Sequence, residues 1–426
     1  MMKKKTSFKE TEIGLIPEEW GIVRLGDVAL LKSGYAFKSG DWTDSGIPVV
    51  KITNVKDGRV VLEGCSYVRP EIAQLATEFR LKKGDILIAM TGYVGEIAVV
   101  RDEDAVVNQR VGKFFIQQPD KLDPSYLFYY LRNPETKREI VGMGYGSAQP
   151  NISPGQVQKI EMRLPPITEQ HRIASILSSL DDKIELNRQI NANLEKMASA
   201  LFKRWFVDFE FPDEEGKPYK TSGGKMVETE MGEVPEGWRV GTLGDVAKNI
   251  KRGVKASDID ASKPYIGLEH MPRRSISLSE WGNGEGLESN KFEFKKGEIL
   301  FGKLRSYFHK VGVAPVDGIC STDILVIAPT ENDYFGFVLG HISSSLLIKH
   351  TEGSSSGTRM PRTNWSDMAK FEIALPPKIV AAAFTRVLDS FVETIVADIY
   401  ESHALAEQRN LLLPRLMSGK MRANKD

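Results

Sequence analysis

Two stretches of this chain carry apolar positions at a helical rather than an extended period. The first is "PPITEQHRIASILSSLDDKIELNRQINANLEKMASALFKRWF". Alternating steps of four and three residues run through Ile173, Leu177, Leu180, Ile184, Asn187, Asn191, Leu194, Ala198, Leu201 and Trp205. The second lies near the C-terminus and runs Phe384, Leu388, Phe391, Ile395, Asp398, Ser402, Leu405, Arg409, Leu412 and Leu416. Both are the seams of heptads and predict two long helices. Each follows a Pro-Pro stop, and in the first Thr168 is placed to cap and Glu169 to occupy the first turn. At roughly 38 residues each they would span ~57 Å, enough for a rigid ruler between globular domains. Both seams turn polar near the middle. A polar layer can fix register, but parallel and antiparallel pairing would both align these layers, so the pattern leaves the direction open.

The rest of the chain reads differently. "IPVVKITNV", "DILIAMTG", "EIAVV" and "KFFIQQ" are short β-rich runs bounded by Gly, Asp and Lys. "PSYLFYYLRNPETKREIVGM" has helical spacing after an Asp-Pro start. Strands and a few helices in irregular order predict an α+β domain of ~150 residues.

That domain occurs twice. "EIGLIPEEWGIVRLGDVA" from Glu12 matches "EMGEVPEGWRVGTLGDVA" from Glu230 at ten of eighteen positions. "FRLKKGDILI" from Phe79 matches "FEFKKGEILF" from Phe292, and "GSAQPNISPGQVQKIEMRLPP" from Gly146 aligns with "GTRMPRTNWSDMAKFEIALPP" from Gly357. A repeat of about 210 residues is a duplicated domain with a duplicated tail rather than a solenoid. The expected organisation is a first α+β domain over 1–166 and a first spacer helix over 167–208. An exposed linker over 209–229, rich in Gly, Pro and charge, leads to a second domain over 230–377. A second spacer helix with a tail fills 378–426. Between the matched blocks the copies diverge, as expected either of one scaffold reading two ligands or of drift in surface loops after duplication.

Composition changes this picture little. Hydrophobic residues make up 41% and charged residues 27%, ordinary for a globular protein. No run approaches the ~18 apolar residues of a membrane helix. The N-terminal "MMKKKTSFKE" has no apolar core behind its charges, so it is not read as a secretory signal. Cys65 and Cys320 occupy non-equivalent places, which argues against a shared disulfide and for a reducing cytoplasm. The formal net charge is zero, whereas proteins that grip DNA alone are usually basic. Either nucleic acid is not involved, or basic patches are local and a partner shares the grip.

Signals of catalysis are weak. "WGNGEG" at Trp281 lacks the strand and helix a dinucleotide loop requires, and "PDEEGK" at Pro212 is a single acidic loop. The six histidines have no metal-ligand spacing, and no nucleophile elbow, Walker loop or Asn/Asp-Pro-Pro-Tyr run is present. Signals of binding are better. Asn108, Gln109 and Arg110 flank a strand, with Lys113 following; a glycine-rich loop carries Tyr145, Ser147, Gln149 and Asn151. Its counterpart carries Arg359, Arg362, Thr363 and Asn364, and "FGKLRSYFHK" adds Lys303, Arg305, Tyr307 and Lys310. Lys38 and Tyr93 complete the candidate DNA-contact set. Amides suit an adenine edge, and arginine suits guanine or phosphate.

The two Pro-Glu-x-Trp openings with "LGDVA", "GSAQPNIS", "RLPPITEQHRIASILSSLDDKIELN", "LFKRWFVDFEFP" and "KPYKTSGGKMVETEMGEVPEGW" together resemble the specificity subunit of type I restriction–modification systems, over essentially the whole chain. The resemblance implies two target-recognition domains separated by two long helices packed antiparallel. It implies a non-catalytic subunit that reads a split site on double-stranded DNA. The expected partners are two modification subunits that methylate adenine N6, and a restriction and motor subunit. S-adenosylmethionine and Mg/ATP are expected in those partners and no cofactor in this chain. In the second copy "PPITEQHRIA" becomes "PPKIVAAAFTRV", which loses the Glu169–Gln170 pair and puts equal docking on the two helices in question. Two other readings remain: a DNA-reading nuclease or methyltransferase, and a scaffold without sequence readout.

Overall fold

The computed structural model describes residues 7–144, 150–353 and 361–423. The chain divides into two compact units, Met1–Lys183 with Ala404–Asp426, and Ile184–His403. Among the described residues no helix is long and apolar enough to cross a membrane.

In the first unit, strand Gly21–Arg24 pairs antiparallel with Glu161–Leu164, so the start and end of the first α+β domain are zipped together. Between them lies a mixed six-stranded sheet in the order Ala29–Ser33, Val111–Ile116, Ile86–Ala89, Ile97–Val99, Gly58–Val60, Val55–Lys56. A four-stranded sheet is built from Val106–Val107, Ile47–Val50, Ser66–Val68 and Trp42–Thr43. The central strand Ile86–Ala89 is apolar at every position because both of its faces are covered. Ile86 and Ile88 share a core with Tyr126–Leu131 of helix Pro124–Arg132. Leu87 and Ala89 point the other way, into a second cluster with Ala98, Val107 and Val111.

The second unit repeats the plan. Arg239–Thr242 pairs with Glu372–Leu375. Its central strand Ile299–Gly302 sends Ile299 and Phe301 into one core and Leu300 into another. Cys320 lies in that second core, and burial pushes its thiol up to about 12. Both cysteines are free.

The long helices are Ile167–Phe202, which ends in a π-turn over Lys203–Val207, and Lys378–Met417. Thr168 therefore lies inside the first turn rather than capping it. Within the first unit, Asp181 accepts from Arg409, and Ile173 and Leu177 share a core with Leu413, Leu416 and Met417. Within the second unit, Asn187 reaches Glu401 and Ser402, while Phe202 packs 6.2 Å from Phe384. In each unit a later position on one helix meets an earlier one on the other, so the pairing is antiparallel. The polar centre of the seam is real: Asn187 is 0% exposed, and its Nδ2 lies 2.8 Å from Glu401 Oε2, 3.3 Å from Ser402 Oγ and 3.4 Å from the Asp398 carbonyl. Asn191, Leu388 and Ile395 are buried, and Leu180, Ile184, Leu194, Phe391, Leu405 and Leu412 are half-buried.

The segment after the first helix is not simply an exposed linker. Phe211 is buried, stacks on Tyr219 at 4.6 Å and meets Trp238 at 5.4 Å, and Phe209 meets Trp238 edge-on at 5.3 Å. Thus the tail of the first helix hooks the opening tryptophan of the second copy through aromatic contacts. The first unit uses an ionic hook instead. Glu169 accepts from the Trp20 indole at 2.9 Å and from Arg422 at 2.7 and 2.9 Å. Gln170, fully buried, bonds the Lys121 and Pro165 carbonyls and the Asp123 amide. Glu169 and Gln170 are therefore internal clasps rather than a docking surface, and the second copy dispenses with them because its hook is apolar.

Candidate nucleic-acid interface

In the first unit, the central strand continues into Met90 and Thr91, and two neighbours converge on that end. Met90 donates its amide to the Arg110 carbonyl at 3.0 Å, on the turn before Val111–Ile116. The far leg of the glycine-rich loop returns on the other side, with Ile152 N to Met90 O at 2.9 Å and Gly92 N to Pro150 O at 3.0 Å. An open cleft of about 550 Å³ results, lined by Ser33, Thr91, Gln109, Arg110, Asn151 and Ser153 among others.

Gln109, Arg110 and Asn151 are exposed to this cleft. The Thr91 hydroxyl donates to Asn151 Oδ1 at 2.6 Å, and Asn108 Nδ2 donates to Gln109 Oε1 at 3.0 Å. Both amides are thus turned so that their NH₂ groups remain for a ligand. With the Arg110 guanidinium beside them, the cleft is rich in donors. That suits acceptor-bearing partners, a guanine O6/N7 edge or phosphate oxygens, better than the mixed edge of adenine.

Two expectations need correction here. Asn108 is 8% exposed and its oxygen accepts from the Arg110 amide, so it shapes the turn instead of facing a ligand. Lys113 is an interior residue, paired with Asp85 at 2.6 Å and donating to the Arg80 carbonyl. Tyr93 is 59% exposed, and Lys38 is exposed on a turn closed by its own amide and Asp41.

The second unit builds the same cradle with different side chains. Lys303 N donates to Asp323 O at 2.9 Å, Thr363 N to Lys303 O at 3.1 Å and Arg305 N to Pro361 O at 2.8 Å. By this register Lys303 stands for Met90, Asp323 for Arg110 and Arg362 for Asn151. Asp323 grips Arg362 with both oxygens, at 3.0 and 3.4 Å, and this pairing raises the guanidinium above its ordinary pKa. A planar fork held by one carboxylate is oriented for a second planar partner. Lys303 is half-buried and Tyr307 is 47% exposed. Thr363 is 2% exposed and cannot meet a ligand. Asn364 accepts from the Asp367 amide and caps helix Trp365–Ala369, as Ser153 caps Pro154–Val157. Tyr145, Ser147, Gln149 and Arg359 lie outside the described residues.

The cradle also has backbone features that the sequence did not flag. Its turn needs left-handed backbone, supplied in the first unit by Gly92 (φ 70°) and Gly95 (φ 83°). In the second unit the corresponding left-handed residues are Arg305 and His309, both at φ 52°. Each costs about 1 kcal/mol or more relative to glycine. Arg274, in the adjoining turn, is a third at φ 53°. Only the pairing in space shows that these three strained residues belong to one place. The look-alike cofactor loop at Trp281 does something else: its indole packs 4.6 Å from the His403 ring, against the second long helix. Among the described residues no cluster of three or more His, Cys, Asp or Glu could hold a metal.

Comparison with known proteins accounts for the duplication. A family model described as the type I restriction modification DNA specificity domain matches twice, over residues 17–196 and 235–401. The type I restriction enzyme MjaIX specificity subunit of Methanocaldococcus jannaschii is 26% identical over 434 residues, covering 98% of this chain and 97% of that protein. The EcoDI specificity subunit of Escherichia coli is 23% identical, covering 96% and 90%. The crystal structure of the type I restriction–modification S subunit from M. genitalium covers 93% of this chain and 96% of that one, with a TM-score of 0.53 at 16% identity, a likeness of fold. Two family domains in tandem, each with the same strand-end cradle, place this chain in the family of type I restriction–modification DNA specificity subunits.

Proposed function

We propose that this chain reads a two-part DNA target, one half per unit, and gathers adenine-N6 methyltransferase subunits, with or without a restriction and motor subunit, on that target. It performs no chemistry itself in this reading. S-adenosylmethionine and Mg/ATP belong to the partners, which reach adenine by flipping it from the duplex. The observation that carries the proposal is the matched cradle. Backbone hydrogen bonds at Met90, Gly92 and Ile152 recur at Lys303, Arg305 and Thr363, while the side chains they present change from Arg110 and Asn151 to Asp323 and Arg362. A scaffold kept at the level of backbone and varied at the level of donors and acceptors is what two different half-sites require. Zero net charge is consistent with partners that share the phosphate contacts.

The test is a methylation map. The chain is co-expressed with its modification subunits, and N6-methyladenine is located across the genome by single-molecule sequencing. A split motif that disappears without the chain is expected. Exchange of residues 12–165 for those of a relative should change one half of the motif and leave the other. An unchanged motif after the exchange refutes readout by this domain.

A further inference from the structure

The second unit carries a turn with two adjacent arginines, where the corresponding turn of the first unit holds Lys56 beside Asp57 at 3.8 Å. "MPRRS" places Arg273 and Arg274 on a turn whose backbone is bonded to the strained loop: Arg274 N donates to the His309 carbonyl at 2.9 Å. The Arg273 guanidinium lies over the Phe308 ring at 4.0 Å, and both arginines are exposed. Lys310 follows in the same loop and donates to the Leu268 carbonyl. Burial first, and then the Arg273 charge, hold Lys310 below the ordinary amine range, with Glu269 opposing them only in part. Among the described residues no carboxylate forms an ion pair with Arg273, Arg274 or Lys310. Three cations have thus been brought together with no carboxylate bonded to them, an arrangement that favours the arrival of an anion.

The turn is also held rigidly. Glu195 of the first long helix accepts from Ser275 Oγ at 2.8 Å and from the Ser277 amide at 3.1 Å. His403 of the second long helix meets the Ser279 carbonyl at 2.8 Å. In the first unit the position of Lys310 is taken by Glu96, which is itself neutralised by Lys137 at 2.6 Å. The left-handed positions of the cradle there, Gly92 and Gly95, have no side chains to offer, and the left-handed residue of the adjoining turn is Asp57, a carboxylate residue.

We propose that Arg273 and Arg274, with Lys310 behind them, form a phosphate clamp that grips the DNA backbone beside the second half-site, independently of its sequence. This rests on the DNA-reading function proposed above. The second unit then contributes more of the salt-sensitive affinity, and the first relies on its donor-rich cleft and on partner subunits.

The experiment uses the assembled complex with its modification subunits, and measures binding to duplexes with and without the split motif between 50 and 300 mM salt. The double variant Arg273→Gln/Arg274→Gln should weaken both duplexes by a similar factor, on the order of tenfold. It should lower the slope of log K against log salt by about 1 to 2, one for each phosphate that is no longer neutralised. The methylated motif should not change. Arg273→Lys/Arg274→Lys should restore most of the slope, since a point charge suffices for a phosphate. An unchanged slope overturns the clamp. So does weakening confined to the motif duplex with an altered half-site, which would make these arginines base readers. If the unaltered complex shows no preference for the motif duplex, it is the recognition reading that fails, not the clamp.

Discussion

Removing Arg422 should unfasten the C-terminal tail from the first unit, and the structure allows the size of the effect to be worked out. Glu169 is 3% exposed and has three donors: the Trp20 indole and two nitrogens of Arg422. Arg422→Ala deletes two charge-assisted hydrogen bonds and leaves a buried carboxylate with one neutral donor. Breaking a buried pair from one side costs about 3–5 kcal/mol, because the remaining charge stays desolvated. The second contact of Arg422, with Glu19, adds little, since Glu19 is 65% exposed and such pairs contribute ~1 kcal/mol or less. Trp20→Phe should cost ~1–3 kcal/mol, the penalty for one missing hydrogen-bond partner. The double variant Glu169→Ala/Arg422→Ala should cost less than the sum of the single ones, with a coupling of about 2 kcal/mol. Hydrogen exchange of the full chain, resolved over residues 16–25 and 416–423, reads the local opening free energy without assuming that both units unfold together. A loss below ~1 kcal/mol in Arg422→Ala, or additive single variants, would refute the ionic hook.

Three further outcomes are expected. Asp323→Asn should loosen the hold on Arg362 and relax one base position of the second half-site only, by about 1–3 kcal/mol of discrimination; a methylation map that changes in the first half-site contradicts the assignment. Asn187→Asp places a carboxylate beside Glu401 and should destabilise the helix pair by ~2–4 kcal/mol at pH 7. Thermal unfolding should recover as acid protonates the new pair, and a pH-independent loss would exclude like-charge repulsion. His341, among Phe202, Phe337 and Phe371, is pushed down to about 3 by burial. The unfolded chain therefore binds a proton that the folded chain refuses between pH 6.5 and 3. Stability should fall with pH across that window by up to ~1.4 kcal/mol per unit. His341→Phe should remove that slope in denaturant titrations, and an identical slope in the variant would place the acid sensitivity elsewhere.

Much of the architecture was legible in the chain alone. The heptad seams mark residues that are buried or half-buried in the helix pair, because a long amphipathic helix advertises its inner face every three to four residues. The duplication was legible because "LGDVA" and "KKG" turns recur at matched intervals. The interface residues were harder. Asn108, Lys113 and Thr363 are polar residues beside exposed loops, yet they point inward. A period-two pattern breaks down at strand ends, where a turn decides which way a side chain faces. Asp323 and Arg274 carried no signal at all, since their roles depend on partners 39 and 35 residues away in sequence, at Arg362 and His309.

What the sequence by itself determined is the presence of two similar domains, two long helices and their apolar seams. These follow from local periodicity and from identity between distant stretches, neither of which requires knowing where the chain goes. The tertiary structure shows the antiparallel pairing, which the seams permitted in either direction and only the family resemblance implied. It also decided which polar side chains face a ligand and which are spent on the fold. Those choices are made by hydrogen bonds between residues far apart in the chain, such as Thr91 with Asn151 and Trp20 with Glu169. A buried donor or acceptor must find a partner wherever the fold brings one, and sequence spacing does not encode that place.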